Sequence, residues 1–173
     1  MAKSSNLREF QESILLKLKE AASHGSTAAS SRLGVTVGAN NVLINLKDVT
    51  EVLPVPPLQP VPLTQAWFLG VANVRGNLYN VTDLAQFMGM PPTPKSANNR
   101  IILINSETTT QAAVLVENLI GLRSIDVMAL KPSASDEILA FSKLVYEDSD
   151  NKTWLEFDIV DLVKDKAFNQ PAI

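Results

Sequence analysis

The amino-acid sequence predicts an all-β fold with short helices, arranged as two similar lobes behind one amphipathic helix. Three observations carry that prediction. After residue 31 apolar residues come in short runs bounded by Gly, Asn and Asp, not at helical spacing. Two proline-rich stretches, at 54–62 and 91–94, interrupt those runs. The order of runs before the second break is repeated after it. Each half closes on an aspartate followed by apolar residues: Asp83-Leu84 with Phe87 and Met88, then Asp158-Ile159 with Leu162 and Val163.

The elements follow in order. Leu7, Phe10, Ile14, Leu18 and Ala21 recur at three- and four-residue spacing, which predicts a helix over 7–22. Asn6 is placed to cap it, with Glu9 three residues on as in a capping box. Packing on its own domain is the favoured reading of that stripe, with docking to a partner as the alternative. Residues 23–31 read as a linker that completes an N-terminal segment, 1–31. Leu33–Val37 and Val42–Ile44 form a hairpin about Gly38–Asn41, and Val49–Leu53 is the next strand. The prolines at 54, 56, 57, 60 and 62 predict an extended crossover, because proline lacks the donor a central strand needs. A second hairpin runs over 68–75 and 77–82, followed by a short helix at about 84–89. In the second half, strands are expected at 100–104, 112–116 and 119–122, and a hairpin over 140–157. Asp83 and Asp158 are each placed to cap a short helix. The expected division is a first lobe over about 32–95 and a second over about 98–168. Each has about five strands, built as a small barrel or a sandwich.

Composition excludes several functions. Of 173 residues 46% are hydrophobic, which supports a core, and the net charge of −3 comes with no basic run, so no nucleic-acid partner is expected. No apolar run approaches the about 20 residues that span a bilayer, and the first residues lack a secretory signal pattern. With no cysteine in the chain, disulfides and thiolate chemistry are out, and a cytoplasmic location is expected. The one histidine, His24, stands in the linker among Ser23, Gly25 and Ser26, without the fixed orientation a catalytic histidine needs. No catalytic residue, metal or cofactor is expected. The acidic run Glu147-Asp148-Ser149-Asp150 fails the calcium-loop pattern, since Lys152, Thr153 and Ile159 fall where an acidic or amide ligand, a glycine and a glutamate are required. A solvated turn fits it better.

The most specific stretch is Trp67 to Leu84. It sets glycines, one asparagine and one arginine around a hairpin. Arg75 there is either a snorkelling surface cation or a fork held for a carboxylate. Gly70-Val71-Ala72-Asn73-Val74-Arg75-Gly76, followed by Val81-Thr82-Asp83-Leu84, resembles the G-[VI]-x-N-[LV]-R-G…V-x-D-L signature of the CheW-like chemosensory coupling proteins. Val49-Thr50-Glu51-Val52 resembles the strand before it, and the likeness covers about 32–166. Three details resemble the type IV pilus branch of that family: Trp67 to Gly76, the N-terminal helix, and Trp154-Leu155-Glu156-Phe157.

The resemblance implies two five-stranded β-barrel lobes around a shared apolar interface, and no catalysis. It implies two partners: the cytoplasmic tip of a methyl-accepting receptor, set as a helix into a groove between the lobes, and the regulatory domain of a CheA-like histidine kinase. The protein would be cytoplasmic, recruited to receptor arrays, without inserting into the membrane. By position, Val49, Glu51, Asn73 and Arg75 would lie at or near the groove from the first lobe, and Leu119 and Ile120 from the second. Gly70 and Gly76 would permit close approach and turning. The family's glycine in the 140–146 strand is replaced here, where Ser142, Lys143 and Leu144 stand.

Overall fold

The computed structural model describes residues 28–132 and 139–173. The helix expected over 7–22, its Asn6 cap and most of the linker lie outside the described residues. The linker was expected to reach Ser31. Instead Ala28–Ser30 form a 3₁₀ turn and Ser31 already begins the first strand.

Among the described residues twelve strands make two six-stranded sheets. The first sheet holds β1 (Ser31–Val37), β2 (Asn40–Asn45), β9 (Asn118–Ser124), β10 (Ala129–Lys131), β11 (Ser142–Glu147) and β12 (Thr153–Phe157), in the order β10-β11-β12-β2-β1-β9. The second holds β3 (Val49–Pro54), β4 (Leu58–Gln59), β5 (Phe68–Val74), β6 (Asn77–Asp83), β7 (Arg100–Ile104) and β8 (Ala112–Val116), in the order β3-β7-β8-β6-β5-β4. Each expected strand is present. The strand counts exceed five because two short outer strands, β4 and β10, are added. β4 lies between Pro57 and Pro60, at an edge, where a missing donor breaks no ladder.

The expected lobe boundaries need correction. The chain makes β1 and β2 in the first sheet, crosses to build all of the second, then returns for β9 to β12. A division near residues 95–98 therefore cuts through the second sheet. The reason is edge satisfaction. β2 is left with an open flank and pairs with β12 in parallel, Leu155 opposite Val42. Likewise β6 takes β8 in parallel, Val81 opposite Ala113. Such pairings join strands far apart in sequence, and the alternation of a strand does not specify its neighbour.

Among the described residues three short α-helices close the turns: α1 (Leu84–Phe87), α2 (Ile159–Lys164) and α3 (Lys166–Asn169). Asp83 accepts a hydrogen bond from the Gln86 amide at 3.4 Å, and Asp158 accepts one from Asp161 at 3.0 Å, so both aspartates cap as expected. Asp83 also ties down the second proline stretch, accepting from Thr93 N at 2.8 Å and Thr93 Oγ1 at 2.7 Å.

The largest core cluster is shared between the sheets. Leu33, Val35 and Ile44 of the first meet Ile102, Val114 and Val116 of the second, with Leu84 and Leu162 from the capped helices. Around it runs an aromatic seam. Trp67 packs edge-on against Phe87 at 4.8 Å, and Phe87 contacts Phe141 at 6.2 Å and Phe168 at 5.6 Å. The last residues add a strap: Gln65 N donates to Pro171 O at 2.7 Å and Ile173 N to Leu63 O at 3.0 Å.

Candidate functional site

The motif stretch forms β5, a turn, β6 and the start of α1. Val74 lies opposite Asn77, so the turn is Arg75-Gly76 alone. Both turn residues have positive φ, 51° and 86°. That is a type I′ turn, whose twist matches the strands it joins. Glycine takes this conformation freely, whereas a side chain with a Cβ costs about 1–2 kcal/mol there. Asn73 Oδ1 accepts from Gly76 N at 2.9 Å and braces the turn from inside. Five residues before Arg75, Gly70 (φ 118°) lets the chain pass under β4; a Cβ there would collide with the Gln59 carbonyl.

Arg75 is held in place by Glu51. Its Nη1 donates to Glu51 Oε2 at 2.7 Å and its Nη2 to Oε1 at 2.6 Å, the fork-on-fork geometry that arginine offers a carboxylate. The Glu51 side chain is 11% exposed and that of Arg75 58%. Glu51 stands on β3, separated from the β5–β6 tip by β7 and β8. Flat strands would hold these positions about 14 Å apart. The pair therefore marks where the second sheet has curled onto itself. Of the two readings of Arg75, the fork is realised, and the carboxylate belongs to the same chain.

Arg75→Ala is therefore expected to lower stability by about 1–3 kcal/mol, because the nearly buried Glu51 loses its charged donor. A double-mutant cycle with Glu51→Gln, read by denaturant unfolding, should return a coupling of about 1–3 kcal/mol. Additive effects would show that the pair contributes nothing.

The other expected site residues divide. Val49 is wholly buried in the shared core, so it supports the site from beneath and presents no surface. Its position before Glu51 in a strand packed on both faces accounts for this. Leu119 is 36% exposed on β9, an outer strand of the first sheet. Ile120 next to it packs half-buried against Leu43, Tyr146 and Trp154. So Glu51, Asn73, Arg75 and Gly76 gather at one hairpin tip, while Leu119 and Ile120 lie on the other sheet.

Three features escaped the sequence reading. Asp148 is the organiser of the 147–152 turn: it accepts from the Asp150 and Lys152 amides at 2.9 and 3.0 Å and from Trp154 Nε1 at 2.8 Å. Trp154 is buried, roofed by Arg123 at 5.5 Å from the ring centroid. Arg32 Nε donates to Glu156 at 2.6 Å across the sheet. Lys143 occupies the β-bulge between Ser142 and Leu144, with its ammonium 2.7 Å from Asp158 and 3.2 Å from Asp161. These charges line a surface cleft of about 420 Å³ beside α2 and pair among themselves there. An aspartate before a turn and a tryptophan after it was the available signal for the first feature. The ion pairs had none, because their partners are far apart in sequence.

The hydrogen bond from Trp154, followed by those from Lys152 and Asp150, holds the Asp148 carboxyl below the ordinary carboxylate value. At Asp158 burial pushes upward, but Lys143 and the α2 amides prevail and the net direction is also down. A carboxyl with a lowered folded pKa stabilises above its unfolded value, about 3.9, and loses that contribution as pH falls through the folded value. Asp148→Asn should thus melt below the parent at pH 7, with the gap closing as the pH is taken below about 4. A gap independent of pH would assign the loss to packing alone.

A model of the CheW-like domain matches residues 32–167. The chain belongs to the CheW-like domain family. Among curated relatives, it is 29% identical to the protein PilI of Pseudomonas aeruginosa over 56% of this chain and 54% of that protein. It is 24% identical to the chemotaxis protein CheV3 of Helicobacter pylori over 75% of this chain and 43% of that one. The matches thus span about half of either relative's length. Against the chemotaxis protein CheW of Rhizobium meliloti identity is 23%, over 73% of this chain and 83% of that one. The fold is like that of the scaffolding protein TtCheW of Thermoanaerobacter tengcongensis, with a TM-score of 0.63 over 76% of this chain and 90% of that one at 20% identity. The Glu51–Arg75 tip lies inside the matched CheW-like domain, as does all of β9. Among the described residues no helix is long and apolar enough to cross a membrane, and no group of three or more His, Cys, Asp and Glu could hold a metal.

Proposed function

We propose that this CheW-like domain is a non-catalytic adaptor. It joins the cytoplasmic tips of methyl-accepting chemoreceptors to the regulatory domain of a CheA-like histidine kinase. The system it serves is the chemosensory one that governs type IV pili and twitching motility. The observation that carries the reading is the family match over 32–167, which contains the whole Gly70–Leu84 stretch.

The geometry supports it. Helix-in-groove recognition needs an apolar floor with a few polar anchors on rigid walls. β9 offers Leu119 and Ile120 on an outer strand, and the Arg75 turn is locked by its own glutamate and asparagine. A rigid fork in a strained turn is the kind of local rule-breaking that marks a functional position. The pilus branch is favoured by Trp67 to Gly76 and by the likeness to PilI. The broader match to a chemotaxis CheW keeps a flagellar system as the second reading.

The test is isothermal titration against the kinase regulatory domain of the pilus system, then against that of the flagellar system, then against a receptor-tip fragment. Saturable binding to the first partner, weakened by Leu119→Glu, is the expected result. Binding only to the flagellar kinase domain would transfer the assignment to that system. A folded protein that binds none of the three would end the adaptor reading, as would saturable turnover of any substrate.

A further inference from the structure

The strap of residues 170–173 leaves α3, which follows β12 of the first sheet, and reaches the segment between β4 and β5 of the second. There Thr64 bridges Ala172 in antiparallel fashion. Gln65 N donates to Pro171 O at 2.7 Å and Ile173 N to Leu63 O at 3.0 Å. The chain before the strap is well anchored. Phe168 is buried against Phe87, and Asn169 Nδ2 donates to Val163 O at 2.7 Å and to Asp165 O at 2.9 Å. Past Asn169 the anchoring weakens: Gln170, Ala172 and Ile173 are exposed and Pro171 is half-buried.

Closure of the strap hides little apolar surface, because Leu63 is 81% exposed and Ile173 84%. It also carries a conformational cost. Leu63 has φ 58°, the left-handed region that a leucine seldom adopts. Main-chain bonds near solvent, little apolar burial and a strained residue together define a contact of low local stability. The segment it holds is the base of the β5–β6 hairpin. Phe68 N donates to Gln65 O at 3.0 Å, and Trp67 O accepts from the amide of Asp83, the α1 cap, at 2.8 Å. Trp67 and Phe168 both pack on Phe87.

We propose that residues 170–173 are a latch, which opens and closes on 63–65 as a unit about a hinge at Asn169–Gln170 while both sheets stay folded. The latch itself stands on these bonds, these exposures and the Leu63 backbone; its effect on a partner rests on the adaptor reading. Closed, it fixes the base of the hairpin whose tip carries Arg75. Open, it releases that base, and affinity falls with the fraction of molecules that hold the tip in place.

Amide hydrogen exchange of the full chain, followed by NMR, tests the latch. Corrected for intrinsic rates, the Gln65 and Ile173 amides should exchange alike, and at least about a hundredfold faster than those of the buried Ile102 and Val114. Leu63→Gly takes positive φ freely and should slow both latch amides roughly fivefold. Leu63→Val puts a β-branched residue at that φ and should speed both. Deleting residues 170–173 supplies the open reference, with Gln65 exchanging fast and the core unchanged. Latch amides that exchange at the core rate, at two different rates, or without regard to either substitution overturn the proposal. So does a deletion that speeds Ile102 and Val114 as much as Gln65. None of these readouts involves a partner, so their failure leaves the adaptor reading standing. With the regulatory domain of the pilus-system kinase as probe, the deletion should bind several-fold more weakly than the parent, and Leu63→Gly no more weakly. Equal affinity of parent and deletion overturns the link to binding. A regulatory domain that binds none of the forms counts against the adaptor reading, while exchange still decides the latch.

Discussion

Gly70→Ala is expected to cost about 2–5 kcal/mol, which for a chain of this size lowers the thermal midpoint by roughly 10 °C. Two independent effects add. The backbone at Gly70 has φ 118°, a conformation residues with a Cβ rarely adopt. A methyl group there would also strike the Gln59 carbonyl and stand 3.0 Å from Pro60 Cα. Relief by movement of β4 is resisted, because that strand is pinned between prolines and pairs Leu58 and Gln59 with Ala72 and Val71. Gly76→Ala provides the control. It shares the positive φ but has open space around its Cβ, so it should cost only about 1–2 kcal/mol. Equal losses at the two positions, measured by denaturant unfolding, would show that the close approach at Gly70 is unimportant.

Trp154→Ala should destabilise by about 3–5 kcal/mol, the usual loss for a large aromatic side chain from a tight core. Trp154 is 2% exposed and packs with Leu43 and Tyr146 inside the first sheet. The ring fits because Gly34 lies beneath it; a Cβ there would approach Cζ3 to 3.0 Å. Trp154→Phe separates packing from the polar tie. It keeps a ring but loses the donor to Asp148, so a cost of about 1–3 kcal/mol is expected. In a Trp154→Phe background the pH-dependent part of the Asp148→Asn effect should shrink. Full persistence of that dependence would place its origin in the turn amides and not in the indole.

Local features were legible in the sequence because their causes are local. The Asp83 and Asp158 caps are each satisfied within three residues, and the hairpins at Gly38 and Gly76 follow from turn residues flanked by strand formers. The Trp67–Leu84 stretch could be singled out, and it does build the hairpin tip on which Arg75 stands. The partner of Arg75 was not legible. Glu51 is drawn to it by the curl of a six-stranded sheet, and curl is a property of all the strands together. The burial of Val49 was hidden for a related reason. One face of β3 looked available until the shared core supplied residues from the other sheet to cover it.

By itself, then, the sequence determined the β class, the strands and their turns, the two capped helices and the family to which the motif belongs. Each of these is written in neighbouring residues, through alternation, proline, glycine and short polar side chains. Only the tertiary structure decided which strands share a sheet, that the first hairpin closes on the last strand, and that the arginine of the motif is braced by a glutamate across two intervening strands. Those choices come from pairing unsatisfied strand edges and burying one apolar core between two sheets. That is a competition among distant segments which no single segment records.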